Sequence, residues 1–124
     1  MKRLSTLFNV TEFPFELYDN NNKIYHEDSE DGYWYRREYD SNNNVTYYEG
    51  SKGYWSRYEY DSNNNRTYYE YSDGSWCRYE YDSNNDQTYY ENSDGKWYRL
   101  EYDSDGNVTY YEDSKGTIRG SKKQ

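Results

Sequence analysis

The chain predicts an all-β fold, an antiparallel meander or solenoid of about five 21-residue β-hairpin repeats behind an N-terminal cap. The repeat is the first observation. Tryptophans fall at Trp34, Trp55, Trp76 and Trp97, and the same step of 21 residues separates Tyr39, Tyr60, Tyr81 and Tyr102 in Tyr-Asp-Ser triplets. It also separates Thr46, Thr67, Thr88 and Thr109 in Thr-Tyr-Tyr-Glu blocks, and a fixed period near 20 residues marks stacked repeats. The second observation is composition. The 124 residues hold 21 Tyr, 4 Trp and 3 Phe but no Ala, so strand formers abound and the good helix formers are scarce. The third is the apolar/polar alternation of Trp55-Ser-Arg-Tyr-Glu-Tyr60, the period of a strand.

In chain order, residues 1–12 hold Leu4, Leu7, Phe8 and Val10, the densest aliphatic patch, and are expected to cap the first repeat. Residues 13–118 form the five-unit array. Its first unit is degenerate: Phe13 stands in the Trp place, the loop after Tyr18-Asp19-Asn20 is one residue short, and Pro14 suits an edge strand. Three regular units begin near Gly32, Gly53 and Gly74. A fourth begins at Gly95 and runs into a basic tail, residues 119–124, expected to fray.

Each unit reads as two strands and two turns. The fourth position of the Asp-Ser-Asn-Asn-Asn loop is Asn43, Asn64, Asn85 or Gly106, residues that tolerate φ > 0 in a three-residue hairpin loop. The Ser-x-Gly turns ending at Gly53, Gly74, Gly95 and Gly116 call for the same conformation. With Asp61 opposite Asn65, counting outwards pairs Glu59 with Thr67, Tyr58 with Tyr68 and Arg57 with Tyr69. One face then repeats without change: Trp34, Trp55, Trp76 and Trp97 with Arg36, Arg57, Arg78 and Arg99 form a ladder suited to stacking and cation–π contact. The other face varies and is the one free to meet a partner. Its candidate binding residues are Tyr58, Tyr60, Tyr68, Glu70, Tyr79, Tyr81, Tyr89 and Glu91, flanked by the turn carboxylates Asp61 and Asp82.

Charge narrows the partner. All 24 acidic residues lie between Glu12 and Asp113, whereas six of the 15 bases lie outside, which leaves −15 on that span against −9 for the whole chain. Such a field repels nucleic acid and anionic membranes and attracts basic proteins. A single cysteine, Cys77, forbids an internal disulfide. No stretch approaches the ~20 apolar residues of a membrane span. The opening Met-Lys-Arg-Leu lacks the sustained apolar run of a secretion signal, so the default reading is a cytoplasmic protein.

Catalytic chemistry is not legible. His26, the one histidine, and Cys77 occupy non-equivalent places of different units. Asp103-Ser-Asp-Gly-Asn107 starts like a calcium loop but lacks the distant bidentate Glu, and each turn Asp reads as a cap on its own loop. The chain is therefore expected to be no enzyme and to need no metal or cofactor.

The segment Gly95-Lys-Trp-Tyr-Arg-Leu-Glu-Tyr-Asp-Ser-Asp-Gly-Asn107 resembles the YD repeat of the Rhs and teneurin type. Leu100 replaces the first Tyr of its Tyr-x-Tyr-Asp-x-x-Gly element, and earlier units keep both tyrosines but carry Asn64 and Asn85 for the Gly. The resemblance covers residues 13–118 and implies spirals of β-hairpins. Five units are too few for the encapsulating shell that family members build. Thr88-Tyr-Tyr-Glu-Asn-Ser-Asp-Gly95 is more weakly similar to choline-binding cell-wall repeats.

Three functions follow as expectations. The first is an acidic intracellular inhibitor, of the phage anti-defence (anti-CRISPR) or antitoxin type, that occupies or clamps the basic nucleic-acid groove of an effector or toxin. The second is a YD-like or choline-binding-like glycan or cell-wall module. The third is a structural repeat that self-associates as a homo-oligomer through open sheet edges.

Overall fold

The computed structural model describes residues 3–30 and 32–122. Met1 and Lys2 of the cap, Asp31 of the first unit, and Lys123 and Gln124 of the tail lie outside the described residues. A single helical turn, α1 (Leu4–Leu7), precedes eleven strands: β1 (Phe15–Asp19), β2 (Asn22–Glu27), β3 (Trp34–Tyr39), β4 (Val45–Gly50), β5 (Trp55–Tyr60), β6 (Arg66–Tyr71), β7 (Trp76–Tyr81), β8 (Gln87–Asn92), β9 (Trp97–Tyr102), β10 (Val108–Asp113) and β11 (Ile118–Gly120). They form one sheet in chain order, β1 to β11. The all-β antiparallel meander predicted from the repeat is the observed fold. Contacts divide the chain into two compact units, Met1–Arg57 and Tyr58–Gln124.

Both turns of the repeat are built alike. In the first, the Asp40 amide donates to the Asn44 carbonyl at 2.9 Å and the Asn43 amide to the Asp40 carbonyl at 3.1 Å; Asp61, Asp82 and Asp103 repeat this. In the second, the Gly50 amide donates to the Tyr54 carbonyl at 2.9 Å and the Gly53 amide to the Gly50 carbonyl at 3.1 Å. The residue that closes each loop is left-handed: φ is 67° at Asn43, 64° at Asn64 and 66° at Asn85, and 92° at Gly74. These are the three-residue loops that the Asn and Gly positions predict. The serine of Ser-x-Gly has a separate task. Ser51, Ser93 and Ser114 each accept the amide of Trp34, Trp76 or Trp97 at 3.2 Å and donate their own amide to that residue's carbonyl at 2.9 Å.

The register corrects the sequence-based pairing by one residue. Arg36 faces Glu49 and Glu38 faces Tyr47, while Tyr39 faces Val45; likewise Arg78 faces Glu91, Glu80 faces Tyr89 and Tyr81 faces Gln87. Thr46 and Thr88 are the additional residues, each forming a β-bulge, and a shift of the same kind at Thr109 separates Val108 from Tyr110. One inserted residue exchanges the faces of everything beyond it. The first tyrosine of each Tyr-Tyr pair therefore joins the tryptophan face and the second joins the opposite one.

In the first unit, tryptophans stack on the preceding hairpin: Tyr25 on Trp34 at 6.0 Å and Tyr47 on Trp55 at 6.5 Å between ring centroids. Tyr25 and Trp34 are buried. In the N-terminal segment Leu4 and Val10 are half-buried, Leu7 and Phe8 are exposed, and polar contacts tie the segment to β2. The Leu4 amide donates to the Tyr25 hydroxyl at 3.1 Å, the Ser5 amide to Glu27 Oε1 at 3.3 Å, and Tyr25 donates to the same oxygen at 2.5 Å. Arg3 bonds the carbonyls of Gly32 and Ser29 and lies 3.5 Å from Glu27, whose residue surface is 0% exposed. On the opposite face of β2, His26 pairs with Glu16 at 2.8 Å and stacks on Tyr35 at 5.1 Å.

Candidate functional site

The candidate binding residues fall in the second unit, Tyr58–Gln124, where the bulges distribute them over two faces. Strand β6 sets Tyr68 opposite Arg78 and Glu70 opposite Trp76; β8 sets Tyr89 opposite Arg99 and Glu91 opposite Trp97. Tyr68, Glu70, Tyr89 and Glu91 thus lie on the tryptophan face, not on the variable face where the sequence-based register puts them. Tyr58, Tyr60, Tyr79 and Tyr81 remain on the variable face.

On the tryptophan face, Tyr68 stacks on Trp76 at 6.2 Å and Tyr89 on Trp97 at 6.5 Å. Arg78 pairs with Glu91 at 2.8 Å and lies over the Tyr89 ring at 5.6 Å, while Arg99 lies 5.9 Å from Tyr89 and 5.8 Å from Trp97. The first tyrosine of each pair thus lies between an indole and a guanidinium at Tyr89, and against an indole at Tyr68. Arg78, Glu80 and Arg99 are exposed. The unchanging face is consequently the more charged and hydrated of the two along these strands.

The variable face carries a tyrosine ladder. Ring centroids step from Tyr69 to Tyr79 at 6.1 Å, to Tyr90 at 5.4 Å, to Tyr98 at 5.1 Å and to Tyr111 at 6.1 Å. Buried Cys77 sits beneath it, its Sγ 3.6 Å from the Tyr90 hydroxyl. A second row is pinned through hydroxyls: Tyr81 donates to the Arg66 carbonyl at 3.0 Å and Tyr102 to the Gln87 carbonyl at 2.6 Å. Burial raises the Tyr79, Tyr81 and Tyr102 phenols above their ordinary range; at Tyr69 and Tyr90 the hydrogen bond with Cys77 leads and burial adds to it. These rings stay neutral at physiological pH and offer apolar faces with polar tips.

The turn carboxylates serve the loops. Asp61 Oδ1 accepts the amides of Asn63 and Asn65, both at 2.9 Å, and Asp82 Oδ1 accepts those of Asn84 at 2.9 Å and Asp86 at 3.0 Å. The Asn65 amide leads in holding the Asp61 carboxyl below the usual range, so it remains charged. Asp61, Tyr68, Tyr79 and Tyr81 border one surface hollow of about 570 Å³ with Glu59 and Arg78. Among the described residues no cluster of three or more His, Cys, Asp or Glu comes together. No helix among them is long and apolar enough to cross a membrane. Tyr69 and Tyr90 were not legible as ladder members because nothing in the sequence reveals the bulge that turns them to this face.

No known family profile and no curated protein sequence matches the chain. Solved structures do. The crystal structure of TcdB2-TccC3-Cdc42 superimposes with a TM-score of 0.59 at 17% identity over 80% of this chain, and that of TcdB2-TccC3-TEV with 0.61 at 15% identity over 92%. The chain spans 5% and 6% of the length of those proteins. At these identities the likeness concerns fold alone, a repeat of antiparallel β-hairpins.

Proposed function

We propose that this chain is a non-catalytic binding protein that presents an acidic, tyrosine-rich sheet to a basic protein, as an inhibitor occupying or clamping a nucleic-acid-binding groove. The observation that carries the reading is the tyrosine ladder of the variable face, Tyr69 to Tyr111, beside turn carboxylates such as Asp61 that stay ionised. Aromatic rings supply contact area at low entropic cost, and the surrounding negative charge selects a cationic partner and speeds encounter.

Affinity capture from lysate tests it, run with and without nuclease at low and high salt. A basic nucleic-acid-binding protein retained after nuclease treatment and released by salt is the expected result. Retention of glycan or cell wall alone, insensitive to salt, overturns it.

A further inference from the structure

The four regular hairpins place different residues around one aromatic position on the variable face. In the β5–β6 hairpin, the Arg66 guanidinium lies 4.5 Å from the Tyr58 ring, 6.0 Å from Tyr60 and 5.9 Å from Tyr69. In the β3–β4 hairpin the equivalent of Tyr58 is Arg37, which lies 4.7 Å from Tyr35 and 5.9 Å from Tyr48. Two hairpins thus fill the position with an arginine of their own. In β9–β10 the places of Tyr58 and Arg66 fall to Leu100 and Val108, and one tyrosine of the three is lost.

Only the β7–β8 hairpin combines all three tyrosines, Tyr79, Tyr81 and Tyr90, with no arginine. Gln87 stands where Arg66 stands one repeat earlier, and its amide turns away to donate to the Tyr98 hydroxyl at 2.6 Å. Among the described residues no cation lies over any of the three rings. They are nevertheless fixed: Tyr81 through the Arg66 carbonyl, Tyr90 through Cys77 and the Asn92 amide at 3.1 Å, Tyr79 by packing on Tyr90. The charges of Asp61 and, with opposite sign, Arg66 both reach Tyr81, although the Arg66 guanidinium lies over Tyr58, Tyr60 and Tyr69.

We infer that Tyr79, Tyr81 and Tyr90 form a receptor for one guanidinium side chain of the partner, in the arrangement that Arg66 adopts on Tyr58, Tyr60 and Tyr69. The ligand class is an arginine of a basic protein surface. The planar cation stacks on the phenol faces, which a compact ammonium does less well. This deepens the proposed function and rests on its basic partner.

The test is a titration with acetyl-arginine amide followed through tyrosine ring resonances. Ring signals of Tyr79, Tyr81 and Tyr90 are expected to shift and saturate. The Q87R variant, which supplies an internal arginine, should weaken binding by about fivefold or more. R66Q should open a second receptor, adding shifts at Tyr58, Tyr60 and Tyr69. Absence of saturable shifts in the native protein, equal binding by folded Q87R, or equally tight binding of tetramethylammonium overturns the inference. Should Q87R fail to fold, R66Q decides alone: no added shifts overturns the proposal. Saturable binding of the probe without capture of any basic protein leaves the receptor standing and refutes the inhibitor reading, so the two fail separately.

Discussion

Glu27 Oε1 accepts both the Ser5 amide, at 3.3 Å, and the Tyr25 hydroxyl, at 2.5 Å, in a position with no solvent exposure. Burial disfavours the charged carboxylate, but the bonds from Ser5 and Tyr25 and the charge of Arg3 outweigh it and hold the carboxyl below the usual range. Burial pushes the Tyr25 phenol up to about 12, with the neighbouring carboxylate adding to the shift. Glu27→Ala removes the acceptor and leaves Arg3 uncompensated, which should cost about 3 kcal/mol. Urea denaturation measures it, and Glu27→Gln, which keeps one acceptor oxygen, should lose less.

Acid should loosen the fold through depressed carboxyls. Glu27, Asp40 and Asp61 all have folded-state values below those of the unfolded chain, Glu27 through the contacts just described and the two aspartates led by the Asn44 and Asn65 amides. Their stabilisation is complete above the ordinary carboxylate range and is lost as pH falls through the lower folded values. The urea midpoint should be level near neutrality and decline on acidification below that range. A midpoint that rises under acid would contradict the assignment.

Trp34 is 7% exposed and stacked on Tyr25, whereas Arg78 has a side chain 52% exposed. Trp34→Ala should cost about 3 kcal/mol through lost burial and the cavity it leaves. Arg78→Ala should cost less than about 1 kcal/mol, because a hydrated ion pair contributes little. Comparison of the two denaturation curves checks that indole stacking, not the visible salt bridge, dominates stability.

Gly74 has φ of 92° and Asn85 has φ of 66°. A Cβ at Gly74 meets no neighbour, so the penalty for Gly74→Ala is backbone strain alone, about 1 kcal/mol. Asn85→Gly relieves that backbone conformation but loses the bond that Asn65 Nδ2 donates to Asn85 Oδ1 at 2.9 Å, so it should change stability by less than about 1 kcal/mol. Thermal melts of both variants test the turn assignment.

The step of 21 residues, both turns and the strand content were legible because each rests on local chemistry: left-handed Asn and Gly, alternation, and aspartates that cap their own loops. The register was not. Thr46 and Thr88 look like ordinary strand residues, yet each is a bulge; the one at Thr88 carries Tyr89 and Glu91 to the opposite face, and Tyr68 and Glu70 lie on that same face opposite Arg78 and Trp76. The burial of Ser56 and Cys77 on the variable face was hidden for the same reason, since variation at a position reads as exposure until its neighbours are known. The Glu27 clamp was illegible because it depends on a short segment folding back on β2, which no periodicity announces.

Ser51, Ser93 and Ser114 tie the exits of three hairpins to their own entries. A tyrosine–tryptophan stack of one kind, Tyr47 on Trp55, Tyr68 on Trp76 and Tyr89 on Trp97, couples each hairpin to the next. Excision of residues 76–96 would bring Tyr68 against Trp97 in place of Trp76, an exchange of like for like. Removing one residue fewer would leave the couplings out of phase. In such a protein, length can change by genetic duplication or loss in whole modules while every surviving joint keeps its fit.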